Sequence, residues 1–289
     1  MEQPSSSTKP VLFVLIAVSL WSTGGLFIKL TALDAYQVTF FRSFFAAITV
    51  LLLTRKQGLR IDLFGILTSL IYASCLFLFV WATKMTTAAN AIFLQYTAPI
   101  YILVLAPFVI GERFRLRDLA TVAIVLAGMS LFFVGQLELS DYQGNIAALG
   151  SGVFLGLYIM LLRHPRAKGF NPVIAVIYGN LLLAVVTLPS GIAALPVMTP
   201  LDWFAVLFLG IFQIGIAYIF FIKGVVGGTR PLDASLIGFI EPLLNPVWVF
   251  MFVGEQPSRW AILGGLIIIT AIGLHTIRQY ARRTPLAPV

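Results

Sequence analysis

The chain is poor in charge and almost without cysteine. Only 10% of its 289 residues are Asp, Glu, Lys or Arg, against about 25% in soluble domains. Sixty per cent are hydrophobic, and the mean hydropathy is +0.99. A water-soluble core cannot absorb that much apolar surface, so the bilayer is the expected solvent. The single cysteine, Cys75, lies inside an apolar run, which excludes an internal disulfide and a thiolate metal cluster. His164 sits in the basic RHPR loop and His275 near the end of the last apolar run, neither with a companion at metal-ligand spacing, so no zinc site is expected. GxSxG, HExxH and the P-loop are missing, and the glycine-rich GVVGGTR at 224–230 joins two apolar runs, a poor place for a phosphate cradle. No catalytic residue, metal or cofactor is expected, and the chain is read as a non-enzyme. The net charge of +8 does not point to a nucleic-acid partner, because loop arginines that set membrane orientation give the same total.

What is present is a series of long, continuous apolar runs. In hydrocarbon only helices and closed barrels satisfy every backbone group, and uninterrupted runs favour helices over the ten-residue alternation of a barrel. The pattern predicts an all-α polytopic membrane protein of ten transmembrane helices, at 11–31, 35–53, 62–83, 89–110, 116–134, 143–162, 171–190, 202–223, 232–253 and 259–278. The first has no small-residue cleavage pattern ahead of Trp21, so it reads as an uncleaved span rather than a signal peptide. With the amino terminus in the cytoplasm, fifteen Lys and Arg fall on the cytoplasmic side, and only Lys29, Lys84 and Arg259 on the other, with Arg42 inside the second span. This asymmetry predicts both termini in the cytoplasm.

One stretch recurs. AANAIFLQYTAPIYILVLAPFVIGERF from Ala88 to Phe114 returns 143 positions later as PLDASLIGFIEPLLNPVWVFMFVGEQP, without a gap. The shift pairs Ala91 with Ala234, Pro99 with Pro242, Val104 with Val247, Gly111 with Gly254 and Glu112 with Glu255. The copies are the fourth and ninth spans, so an odd number of crossings separates them and they run in opposite directions. The expectation is two inverted five-helix repeats, 1–137 and 138–289, forming one membrane domain. Such halves can rock about a shared centre and expose it to either side in turn. A weaker echo joins SLWSTGGLFIKL of the first span to SGVFLGLYIMLL of the sixth, where small residues let helices approach closely.

Ionisable residues inside a span are costly and therefore informative. Glu241 lies halfway along the ninth span, and Gly238, Glu241, Asn245 and Trp248 share one helix face. Glu241 reads either as part of a substrate or proton site or as a polar clamp paired with Arg42. Arg42 itself, in FFRSFFAAI, reads as a structural charge. Lys29 and Asp34 read as interfacial anchors.

LWSTGGLFIK in the first span, FFRSFFAA in the second, and apolar spans closed by GERFRLRD and GEQPSR together resemble the drug/metabolite transporter superfamily, EamA-type, and within it most of all the YddG-type amino acid exporters. The resemblance covers nearly the whole chain. It implies efflux of amino acids and related metabolites across a bacterial inner membrane, through a cavity formed by both halves and lined by spans 1, 3, 4, 6, 8 and 9. Depth and spacing on those spans select Trp21, Tyr72, Gln95, Tyr101, Tyr158, Gln213, Glu241 and Asn245 as candidate substrate-binding residues. Gly24, Gly25, Pro99 and Pro242 are the expected bending points. The resulting expectation is an exporter of neutral or aromatic amino acids working by alternating access in a lipid bilayer. Rival expectations are an exporter of nucleotide sugars, nucleosides or drugs, an intramembrane enzyme acting on lipid, and a passive channel. Oligomeric state leaves no mark in the sequence.

Overall fold

We describe the fold from a computed structural model for residues 9–132, 134, 141–168, 171–253 and 258–281; at 88, 89, 132, 245, 246, 249–253 and 278–281 only the backbone is described. Among these residues the chain is all-helical, with no strand. In chain order the helices are α1 (Lys9–Trp21), α2 (Gly24–Leu30), α3 (Ala35–Thr54), α4 (Leu63–Met85), α5 (Ala88–Gln95), α6 (Ala98–Val109), α7 (Leu116–Phe132) and α8 (Tyr142–Leu161). They continue as α9 (Ile174–Val186), α10 (Leu188–Ala194), α11 (Pro200–Phe208), α12 (Ala217–Val226), α13 (Pro231–Gly238), α14 (Ile240–Val253) and α15 (Arg259–Ala281). A π-helical segment, Leu209–Ile216, joins α11 to α12.

Seven helical stretches are long and apolar enough to cross a bilayer, and an eighth follows if α9 and α10 are taken as one bent span. That pair departs from the straight helix expected at 171–190, bending by 65° at Thr187. Pro189 explains the bend, because its ring displaces the carbonyl one turn earlier and it donates no hydrogen bond. α7 has 17 described residues, about 26 Å at 1.5 Å per residue, short of the roughly 30 Å hydrocarbon layer.

Three spans are broken near their middles. α1 ends at Trp21 and α2 starts at Gly24; α5 and α6 are parted at Tyr96–Thr97; α13 and α14 are parted at Phe239. Pro99 and Pro242 account for the last two, since each disturbs the carbonyl four residues before it, at Gln95 and Gly238. At the first break, hydroxyls take over carbonyls: Ser22 Oγ donates to Ser19 O at 2.6 Å and Thr23 Oγ1 to Leu20 O at 2.7 Å. The breaks thus precede Gly24, Pro99 and Pro242 by one to three residues.

Close packing holds the broken pieces in place. α8 carries Gly144, Ala148, Gly152 and Gly156 at four-residue spacing, one small stripe along its length. A Cβ at Gly152 would stand 2.7 Å from Gln95 O, and one at Gly156 would stand 3.2 Å from Ala98 O. α8 therefore lies directly against the α5–α6 break. Large apolar side chains such as Leu52, Leu63, Phe108 and Val185 are exposed on the outside, as lipid contact requires.

The arginine-rich end is tied by a charge network. Arg230 reaches Asp118 at 3.1 Å, Glu112 at 3.3 Å and Asp233 at 3.7 Å. His275 Nε2 lies 2.9 Å from Asp233, and its Nδ1 lies 3.2 Å from Thr121 Oγ1. α7, α13 and α15 are thereby joined. Burial alone would lower the Arg230 pKa, but the three carboxylates outweigh it and hold the guanidinium above its usual value. Glu112 serves here as a loop clamp; its repeat partner Glu255 lies outside the described residues. Removing one partner of a buried pair costs about 3–5 kcal/mol. Asp118 is 1% exposed and Arg230 13%, so Arg230→Gln is expected to fall in the lower part of that range. A thermal-unfolding midpoint unchanged from wild type would show that the network contributes nothing.

At the other end Lys29 Nζ donates to Thr86 O at 3.1 Å and Lys84 Nζ to Thr31 O at 3.2 Å. Lys29 is therefore a tie between α2 and the end of α4, beyond the anchor expected of it. Asp34 caps α3 through Gln37 N.

Candidate substrate cavity

A cavity lies where the breaks meet. It is lined by Trp21, Arg42, Leu76, Phe79, Gln95, Tyr96, Leu155, Gln213, Ile214, Tyr218 and Glu241. About 40 Å³ of it is open to the centre of a water molecule, room for roughly three waters at 10–15 Å³ each.

Two breaks supply its most polar wall. The Tyr96 hydroxyl donates to Glu241 Oε2 at 2.6 Å, and the Tyr96 ring packs at a tilt against Phe239 with centroids 5.0 Å apart. Gly238 makes room, since a Cβ there would stand 3.0 Å from Tyr96 Cε1. Glu241 is 7% exposed. The first break joins through Trp248, whose Nε1 donates to Ser22 Oγ at 2.9 Å.

The other walls are pinned from behind. Gln95 Nε2 donates to Ser151 Oγ at 2.7 Å, and Ser151 donates to Cys75 O at 2.9 Å. Gln213 comes from the π-helical segment, whose Gly210 approaches α3 so closely that a Cβ would stand 2.8 Å from Arg42 O. Gln213 Oε1, Trp21 Nε1, Arg42 Nε and Arg42 Nη1 are buried without a hydrogen-bond partner among the described residues.

An aromatic layer closes one side. Tyr218 contacts Trp21 and Tyr72 at 4.9 Å, and Tyr158 at 6.0 Å; Tyr72 and Tyr158 are 5.1 Å apart. These three tyrosines lie nearer the arginine-rich ends of their helices than Gln213, Leu76 and Leu155 do. Tyr72 accepts from Asn180 Nδ2 at 3.0 Å.

Of the residues expected from sequence, Trp21, Gln95, Gln213 and Glu241 come together on the cavity wall. Tyr72 and Tyr158 sit one layer away, in the aromatic plug. Tyr101 is off the wall; its Cβ lies 3.5 Å from where a Cβ on Gly156 would be, against α8. The side chain of Asn245 lies outside the described residues. Arg42 and Glu241 line the same cavity without a direct salt bridge between them, and Glu241 bonds to Tyr96 instead. Two tyrosines of the wall, Tyr96 and Tyr218, were not among the selected substrate-binding candidates. Tyr96 is the repeat counterpart of Phe239 at the shift of 143, which was a usable signal. Tyr218 had none beyond its place on an apolar span.

Broken apolar helices around a small chamber that carries an acid, an arginine and two amides on its wall define the class: a multi-pass membrane transporter. Comparisons with known proteins agree and give the family. The model of the EamA-like transporter family matches residues 8–134 and again 142–277. The chain belongs to the EamA-like transporter family. It is 24% identical to an uncharacterized transporter of Archaeoglobus fulgidus, with 90% of this chain and 93% of that one aligned. It is also 24% identical to the pseudopaline exporter CntI of Pseudomonas aeruginosa, over 90% and 93% of the two chains. Human solute carrier family 35 member G1 is 22% identical, over 93% and 79%. A solved crystal structure superposes with TM-score 0.76 at 20% identity, over 96% of this chain and all of the other, which shows a shared fold.

Proposed function

We propose that this protein exports neutral or aromatic amino acids and related small metabolites by alternating access through the central cavity. The observation that carries the reading is the Tyr96–Glu241 contact. It places a carboxyl and a hydroxyl, from two broken helices 145 residues apart in sequence, on one wall of a buried chamber. Ten crossings in two inverted halves, 1–137 and 138–289, complete the proposal. Two facts support it. The family model matches once in each half, and the breaks at Tyr96 and Phe239 stand 143 residues apart, the shift at which the sequence repeats.

In this mechanism Gly24–Gly25, Pro99 and Pro242 let the half-helices swing, because neither a restarted helix nor a proline kink carries a continuous hydrogen-bond ladder. The Tyr72–Tyr158–Tyr218 plug blocks the arginine-rich side and opens when the halves rock. That side faces the cytoplasm, with both termini, by the distribution of Lys and Arg. The cavity must widen before a substrate enters, since an amino acid exceeds three waters. A nucleotide sugar would demand far more.

The test is flux of radiolabelled amino acids in proteoliposomes, with nucleosides and nucleotide sugars as competitors. Saturable flux of a neutral or aromatic amino acid is expected. No saturable flux of any amino acid, or competition by nucleosides alone, would reject the substrate claim.

A further inference from the structure

The least explained group in the molecule is the Arg42 guanidinium. Arg42 is 2% exposed and sits two turns into α3, on the wall of the cavity. Its Nε and Nη1 have no acceptor among the described residues. Glu241 lines the same chamber, yet its Oε2 is taken by Tyr96 and no ion pair forms. A buried cation without a partner is strongly unfavourable. A guanidinium presents a planar fork of donors whose spacing matches the two oxygens of a carboxylate. Nothing else in the chamber is built that way: Gln95 is tied to Ser151, and the remaining polar walls are one amide, one indole and hydroxyls.

We propose that Arg42 is the specificity-determining residue of this cavity, reading a carboxylate, so that the ligand must carry one. This rests on the transport reading only for its physiological meaning; the binding claim stands by itself. With the carboxylate on Arg42, an ammonium group has the Glu241–Tyr96 wall to meet. A zwitterion then satisfies both charges, and an amine or an amide of the same shape leaves Arg42 unpaired. Gln213 Oε1 and Trp21 Nε1, also without a partner among the described residues, are left to orient the rest of the ligand.

The experiment is equilibrium binding to the purified full chain in lipid nanodiscs. The probes are the twenty amino acids, L-phenylalaninamide, which keeps the ammonium and loses the carboxylate, and 3-phenylpropionate, which does the reverse. At least one amino acid is expected to bind, with its amide at least tenfold weaker. Arg42→Gln is expected to remove that difference, and Arg42→Lys to keep part of it, since lysine retains the charge without the fork. An acid and amide that bind alike to wild type would overturn the proposal, as would an Arg42→Gln variant that still discriminates, or no binding by any carboxylate. The wild-type comparison needs no variant to fold. Binding of acids without flux would reject the transport reading and leave the Arg42 assignment standing. Flux of acid and amide alike would do the opposite.

Discussion

Glu241→Gln is expected to lower saturable flux at least tenfold while the protein still purifies as a single species. Glutamine keeps the size of the side chain and an oxygen that accepts from the Tyr96 hydroxyl, so the wall keeps its shape. What is lost is the charge that faces a substrate ammonium. A hydrogen bond to a charged group contributes about 1.5–3 kcal/mol, or roughly tenfold and upward in binding. Tyr96→Phe is the companion test. It removes the donor at 2.6 Å and leaves the ring packed against Phe239, so a smaller loss is expected. If Glu241→Gln transports with unchanged kinetics across pH, Glu241 is a clamp between broken helices and the substrate site lies elsewhere.

Gly152→Leu is expected to abolish transport and to lower the thermal-unfolding midpoint. A Cβ at this position meets Gln95 O at 2.7 Å, and Leu94 O and Thr97 Oγ1 at 3.2 Å. Two of these atoms are backbone, and no rotamer moves them away. Overpacking of this kind costs about 1–3 kcal/mol, at roughly 2–4 °C per kcal/mol for a chain of this size. The damage falls on the α5–α6 break, which carries Tyr96 and Gln95 to the cavity. Gly273→Leu is the control, because nothing lies within 4 Å of a Cβ there, and it is expected to be neutral. Equal tolerance at both positions would mean that α8 does not hold the break.

The parts of this structure that depend on local chemistry were legible in the sequence. Long apolar runs marked helices such as α4, predicted at 62–83 and found at Leu63–Met85. Proline marked where α5 and α6, and α13 and α14, come apart. The bend at Thr187 was equally legible in Pro189, which stands at the very end of the run expected at 171–190. The site was harder. Glu241 stood out because a carboxyl inside a span is rare. Its partner did not, because the contact joins residues 145 apart and depends on how the broken pieces stack. Arg42 and Glu241 looked like natural counterions from composition alone. In the structure both line one chamber, and the carboxyl takes its hydrogen bond from Tyr96. Tyr101 and Tyr158 show the limit of reasoning from depth: span and depth place a residue on a helix, but only the packed bundle decides which face meets the chamber. The π-helical segment at Leu209–Ile216, which presents Gln213, has no sequence signature in this chain.

The account stands or falls on one site that is open to each side in turn, and trans-stimulated exchange tests that directly. Proteoliposomes are loaded with an unlabelled amino acid that the protein binds, and uptake of the labelled compound from outside is followed. The account predicts uptake that saturates with external concentration and is faster with substrate inside than without. Uptake that rises linearly with concentration and ignores the internal substrate would mean a pore open to both sides at once, and would contradict it.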